Sequence, residues 1–310
     1  MNEFDLIAHL TSSLPSNASV IVGAGDDCAV LDSGSPDRWL LFKTDAVVEG
    51  IHFLPDAMPE KIGHKALARA LSDIAAMAGR PLAVLVTIAL PKNFDPPFVK
   101  KIYDGMSELA RQHGVAIVGG ETTTSPKGMI ISIALLGDVA KEKCILRSGA
   151  KSGDAIFVTG ELGGSIASKH LEFEPRLAEA RWLAENFSIH AMIDLSDGLA
   201  SDLRHILQAS HLGAELLGKA IPISRAAKDQ AKAESSNKPP LLAALTDGED
   251  FELLFTAASR DAVPLLDAWK KQFPNLRLSC VGKITSAPGI KLHDKTGVRS
   301  LDAHGYVHFA

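Results

Sequence analysis

Short apolar runs alternate with stretches of helical period along the whole chain, and run after run stops at an acid. "IVGAGDDCAVL" sets Asp26 and Asp27 behind an apolar run and a glycine turn. "LLFKTDAVVEGIHF" puts Thr44 and Asp45 at the end of another, with His52 beyond it. "VAIVGGETT" closes on Glu121, and "AMIDLSDGLASDL" closes on Asp194, with Asp197 three residues on. "ALSDIAAM" embeds Asp73 among apolar helix neighbours. Strands interleaved with amphipathic helices restrict the chain to layered α/β or α+β architectures.

Strands are expected at Ser19–Val22, Trp39–Lys43, Leu82–Leu90, Val115–Val118, Met129–Leu136, Ala155–Thr159, Met192–Ile193, Ala214–Leu217, Phe251–Phe255 and Arg277–Val281. Helical periodicity covers Glu60–Met77, Pro97–His113, Pro175–Asn186, Leu199–Ser210 and Asp261–Gln272. A length of 310 residues exceeds one usual core, so two domains are expected. The small, polar "SGAKSGD" just before a fresh strand divides them into residues 1–148 and 149–310. "AKDQAKAESSNKPP" (Ala227–Pro240) reads as a surface excursion of the second.

With 46% hydrophobic and 22% charged residues the composition is that of a soluble globular protein. A net charge of −5 argues against nucleic acid as partner. An anionic substrate is still allowed, provided local cations reverse the field. Cys28, Cys144 and Cys280 are too dispersed for a disulfide framework or a zinc site, which favours a reducing compartment. "MNEFDLIAHL" carries acids where a signal peptide is basic, and "PLAVLVTIALP" is too short to cross a bilayer as a helix. A cytoplasmic protein without a membrane partner is expected.

Each acid taken alone has a structural explanation, since Asp makes turns and favours helix starts. Ser196 or Asp197 would cap the helix that begins at Leu199. Asp73 is harder to explain, because an unpaired carboxylate among Leu71, Ile74 and Met77 is costly to bury. If several of these strand ends converge, two carboxylates about 4 Å apart repel by roughly 4 kcal/mol at an effective dielectric near 20. Cations must then offset the repulsion, and donors that are all oxygen point to Mg²⁺, Mn²⁺ or Ca²⁺ rather than zinc.

Magnesium held by carboxylates commonly carries phosphates. "GAELLGKA" imitates a P-loop but lacks its hydroxyl and follows a helix, so Gly213 is expected as a helix C-cap. "VTGELGGS" has the better order of strand, glycine turn and helix, without a dinucleotide spacing.

"GAGDDCAVL", "KTDAVVEGIHF", "KALARALSDIAAMAGRP", "IVGGETT", "LRSGAKSGD", "VTGELG", "IDLSDGLASDL" and "TDGEDFELLF" together resemble, in order and nearly end to end, the thiamine-monophosphate kinase family. Its superfamily includes aminoimidazole ribonucleotide synthetase and selenophosphate synthetase. The resemblance implies a two-domain α/β fold like that synthetase: an N-terminal domain whose sheet forms a dimer barrel, and a C-terminal α/β sandwich domain, with an ATP–magnesium cleft between them. It also implies transfer of the γ-phosphoryl of ATP to thiamine monophosphate, with several Mg²⁺ ions and a homodimer.

Carried over by motif, Asp27, Thr44, Asp45, Asp73, Glu121, Asp194 and Asp197 form the magnesium shell. Lys43 stands where Ser or Thr is commoner, so a metal contact there falls to its carbonyl. Gly120, Glu121, Arg147 and Ser196 meet ATP, and His52, Glu249 and Tyr306 hold thiamine monophosphate. Glu121 replaces the family's usual Asp.

Phosphoryl transfer asks chiefly for positioning and charge neutralisation. The acceptor phosphate, with a second pKa of roughly 6, is already mostly dianionic, so neither a general base nor a covalent nucleophile is assigned. The alternatives on this fold are another ATP-dependent enzyme, such as aminoimidazole ribonucleotide synthetase, or a Mg-ATP sensor without turnover.

Overall fold

The computed structural model describes residues 3–233, 238–295, 297–301 and 305. Chain order begins with α1 (Glu3–Thr11), β1 (Val20–Val22), β2 (Ala29–Leu31), β3 (Arg38–Val48) and α2 (Pro59–Ala76). It continues with β4 (Arg80–Leu90), α3 (Pro96–His113), β5 (Ala116–Thr124) and β6 (Ile130–Ala140). Then follow β7 (Ala155–Thr159), α4 (Leu177–Asn186), β8 (Ile189–Asp194), α5 (Leu199–Ser210) and β9 (Gly213–Leu217). The last are α6 (Arg225–Gln230), α7 (Pro240–Thr246), β10 (Leu253–Ala257), α8 (Ala262–Gln272), β11 (Leu278–Thr285), β12 (Gly289–Asp294) and β13 (Gly297–Ser300). No described helix is long and apolar enough to cross a membrane.

The chain divides into two compact units. One comprises Ala18–Cys144 and His170–Arg181. Its sheet has the order β1-β2-β3-β6-β4-β5, antiparallel except for β4 beside β5. Strand alternation turns Leu41, Val84, Val86, Ile131, Ile133 and Leu135 inward, where α2 covers them. Two glycines let α3 lie close on α2: a Cβ at Gly63 would stand 1.8 Å from the Ile102 carbonyl oxygen, and one at Gly105 1.9 Å from that of Glu60. The opposite sheet face presents Phe42, Leu85 and Val118, which are 49%, 48% and 62% exposed.

The other unit comprises Met1–Asn17, Ile145–Lys169 and Trp182–Ala310. Its sheet runs β13-β12-β9-β11-β7-β10-β8, with β12 and β9 the parallel pair. Ile156, Val158, Ile193, Leu254 and Val281 pack against Leu199, Leu203 and Ile206 of α5. The alternate residues Phe157 and Phe255 stack with centroids 5.1 Å apart, and Trp269 of α8 meets Trp182 edge-on.

β7 and α5 have the expected bounds, but several expectations need correction. Thr44 and Asp45 do not end a strand, because β3 pairs with β6 from Arg38↔Ala140 through to Val48↔Ile130. Glu121 likewise lies within β5, whose parallel pairing with β4 continues to Thr124. Gly213 opens β9, and the cap of α5 is His211 at φ 56°. "VTGELGGS" leads into one 3₁₀ turn, Ser165–Ala167, and not into an α-helix. The excursion at Ala227–Pro240 begins inside α6, and its residues 234–237 fall outside the described set.

Candidate active site

In the six-stranded unit, alternation along β3 aims Lys43 and Asp45 at α2. There Lys43 Nζ meets Asp73 Oδ1 at 2.9 Å, and Asp45 Oδ2 accepts from Arg69 Nε at 3.0 Å. Asp27, 1% exposed, and Asp73, 7% exposed, each offer an oxygen within 4.8 Å of the other. Burial works against the Lys43 charge, but the Asp73 and Asp45 carboxylates outweigh it and raise the lysine pKa. Burial, then the Asp73 carboxylate, also raises the Cys28 pKa well above its ordinary value, which keeps the thiol neutral. A thiol held protonated in this way is no nucleophile.

Thr44 points to the opposite sheet face, where its Oγ1 lies 3.4 Å from Ser132 Oγ. Glu121 pairs with Thr87, which pairs in turn with Ser132, so Glu121 shares that outer face. Three strand spacings, roughly 14 Å, separate β3 from β5. Within one chain Glu121 is therefore not brought to Asp45. Gly120 must be glycine, since at φ 155° its Cβ would stand 1.8 Å from the Val86 carbonyl oxygen.

His52 sits in the turn after β3. Its Nδ1 accepts from the Val48 amide at 3.0 Å, which leaves Nε2 as the hydrogen-bearing nitrogen, a donor suited to phosphate. The buried Lys65 donates to the His52 carbonyl oxygen at 2.7 Å and fixes the same turn.

In the seven-stranded unit, β8 delivers the buried Asp194 and α5 starts after Gly198 at φ 106°. The expected cap by Ser196 or Asp197 is not what forms. Asp202, one turn into α5, accepts from the amides of Asp197 and Gly198 at 3.1 and 3.0 Å. Burial, then the Asp197 and Asp194 carboxylates, raises the Asp202 pKa, and the Arg147 guanidinium opposes them. Asp197, Asp202 and His205 offer ligand atoms within 4.8 Å of one another.

The Glu249 amide donates to the Ser196 carbonyl oxygen at 2.7 Å, so the proposed nucleotide and acceptor segments are neighbours in the chain's own backbone. Gly305 also packs here, because a Cβ on it would lie 1.9 Å from the Asp197 carbonyl oxygen. Tyr306 lies outside the described residues.

A family model described as "AIR synthase related protein, N-terminal domain" matches residues 25–139. Over 99% of its length the chain is 40% identical to a thiamine-monophosphate kinase of Rhodopirellula baltica, covering 97% of that protein. It is 34% identical to one of Bacillus subtilis, with full coverage of both. The chain belongs to the thiamine-monophosphate kinase family. A solved structure described as "AaThiL complexed with AMPPCP and TMP" superposes with a TM-score of 0.82 at 28% identity, covering 99% of this chain and 97% of that one.

Asp202, Arg69 and Lys65 hydrogen-bond to the expected site residues Asp197, Asp45 and His52, and the family motifs do not mark them. For Asp202 a signal was present: an acid in the first turn of a helix whose N-cap is glycine has free amides to bind. Arg69 and Lys65 carry no such signal in the sequence, and only the fold brings them to Asp45 and His52.

Proposed function

We infer that this protein transfers the γ-phosphoryl group of ATP to thiamine monophosphate, giving thiamine diphosphate and ADP. The full-length 40% identity to a kinase of that name carries the reading, and the geometry agrees with it. Asp27, Asp73 and Asp194 are at most 7% exposed, and carboxylates this dry need cations. Hard, nearly all-oxygen donor sets fit Mg²⁺. The residues proposed to hold it are, in the six-stranded unit, Asp27, Asp45 and Asp73 on the α2 side and Thr44 and Glu121 on the other sheet face, so one ion does not serve both groups, and, in the seven-stranded unit, Asp194 and Asp197; Lys43 is limited to its carbonyl because its ammonium binds Asp73. When bound, Mg²⁺ neutralises the two phosphate groups and lets them approach.

The protein's own groups do the rest by position. Arg147 and the backbone at Gly120 and Ser196 hold the polyphosphate, and Arg147 can clamp it through two hydrogen bonds. His52 donates from Nε2 to the acceptor phosphate. Glu249 lies by the cationic thiazolium ring, and the Tyr306 ring is suited to stack on it. No side chain need remove a proton from a phosphate that is already a dianion.

The proposed division of roles, residues 1–148 for nucleotide, metal and self-association and 149–310 for Ser196, Glu249 and the remaining acids, departs from the compact units at Met1–Asn17 and residues 145–148, which belong to the seven-stranded unit, and at His170–Arg181, which belongs to the six-stranded one. The exposed apolar sheet face around Phe42, Leu85 and Val118 supports a homodimer, and the free cysteines agree with the cytoplasm.

The test is turnover with Mg-ATP and thiamine monophosphate, free thiamine or formylglycinamidine ribonucleotide as acceptor. Thiamine diphosphate and ADP are expected from the first alone. Conversion of only the last would overturn the reading.

A further inference from the structure

Two non-glycine residues near the start of β10 have left-handed backbones: Glu249 at φ 69° and Phe251 at φ 50°. Such conformations cost about 1–3 kcal/mol each and persist only where the surroundings enforce them. Glycine at 249 would relieve the strain, yet the chain keeps an acid there.

Between the two lies Asp250, 1% exposed. Its Oδ1 and Oδ2 accept from the Gly163 amide at 3.1 and 2.9 Å, and Oδ1 also accepts from Ser165 Oγ. On either side, Asp247 accepts from the Gly164 amide at 2.9 Å, while Glu252 accepts from Thr159 Oγ1 at 2.9 Å and Lys169 Nζ at 2.6 Å. The glycine-rich turn of "VTGELGGS" is thus no phosphate cradle, since its amides already serve the chain's own carboxylates. Only glycine fits at 163, where a Cβ would stand 2.7 Å from the Ala244 amide nitrogen at φ 83°.

We propose that Asp250 is a positioning residue: by binding the turn at Gly163 and Ser165 it holds Glu249 in its strained backbone and thereby aims it for recognition of a cationic acceptor. The proposal rests on Glu249 meeting the acceptor. Backbone bonds complete the clamp, with the Phe251 amide donating to the Leu195 carbonyl oxygen at 2.8 Å and Leu195 donating to that of Glu252 at 2.8 Å. Asp250 touches no substrate; it acts through its neighbour.

The experiment compares Asp250→Ala, Asp250→Asn, Glu249→Gln and the double variant Asp250→Ala/Glu249→Gln. KM for thiamine monophosphate and for ATP are measured separately, with circular dichroism as a check on folding. Asp250→Ala should raise KM for thiamine monophosphate by about tenfold and leave KM for ATP within about twofold. Asp250→Asn, whose amide oxygen can still accept from Gly163, should restore part of the loss. In the Glu249→Gln background, Asp250→Ala should add less than about twofold, because its effect is routed through Glu249.

A folded Asp250→Ala protein with unchanged KM for thiamine monophosphate overturns the proposal. So does a full additional loss in the Glu249→Gln background. If Glu249→Gln itself leaves that KM unchanged, the acceptor role of Glu249 fails first and the proposal falls with it. Should Asp250→Ala not fold, Ser165→Ala removes one bond and must show the same split at about two- to threefold.

Discussion

Lys43 Nζ lies 2.9 Å from Asp73 Oδ1, so the acids of the six-stranded unit carry a cation of their own. The two side chains keep 24% and 9% of their surface exposed. Removing one partner of a buried pair leaves the other charge uncompensated, at a cost of about 3 kcal/mol. Lys43→Met should therefore lower the melting temperature, and added Mg²⁺ should raise it more steeply in the variant than in the parent. Equal Mg²⁺ responses would show that Lys43 does not compensate Asp73.

Asp194 ends β8 almost dry. Asp194→Asn keeps the shape and removes the charge. Turnover should fall by roughly 100-fold or more, with the circular dichroism spectrum unchanged. Asp45→Asn should do the same and also leave Arg69 without its carboxylate partner at 3.0 Å, so this variant should melt lower as well. Near-parental activity in either would remove that residue from the metal set.

Much of the framework was legible in the sequence because buried strands and helices have strong periods. α5 begins with Leu199 and buries Leu203 and Ile206 at helical spacing, and β7 is five consecutive buried residues. The acids Asp27, Asp73 and Asp194 stood out by interrupting apolar stretches. What failed was local punctuation. Thr44 and Asp45 were mistaken for an end because polar residues inside a long ladder look like a stop, although pairing with β6 continues past them. β12 and β13, at one end of the seven-stranded sheet, escaped notice because strands interrupted by Lys291, His293 and Arg299 resemble loops. Asp250 was hidden for a different reason: it binds the amide of Gly163, 87 residues away, and which amide it reaches is decided by the fold.

The outer face of the six-stranded sheet should be covered in solution. Light scattering on a size-exclusion column is expected to give twice the chain mass. Placing charge on two exposed apolar residues, Phe42→Glu with Leu85→Glu, should give a folded monomer. A parent protein that runs as a pure monomer refutes the homodimer.

Asp250 also predicts a pH dependence of stability. Burial raises its pKa from 3.8 to about 7, against the opposing pull of Lys169, Ser165 and the Gly163 amide. The folded state thus holds the proton more tightly than the unfolded chain does. Stability from this group is present in full below the ordinary carboxylate pKa and is lost as pH rises towards 7, by up to about 1.4 kcal/mol per pH unit. Asp250→Asn cannot ionise, so it escapes the loss. Urea unfolding at pH 5, 6, 7 and 8 should show the difference in unfolding free energy, variant minus parent, growing up to about pH 7 and level above it. Substitution costs that do not depend on pH, including any lost bond to Gly163, shift this curve without changing its slope. A flat difference from pH 5 to 8 would mean that Asp250 titrates as an ordinary carboxylate and that burial does not act on it as its surroundings require.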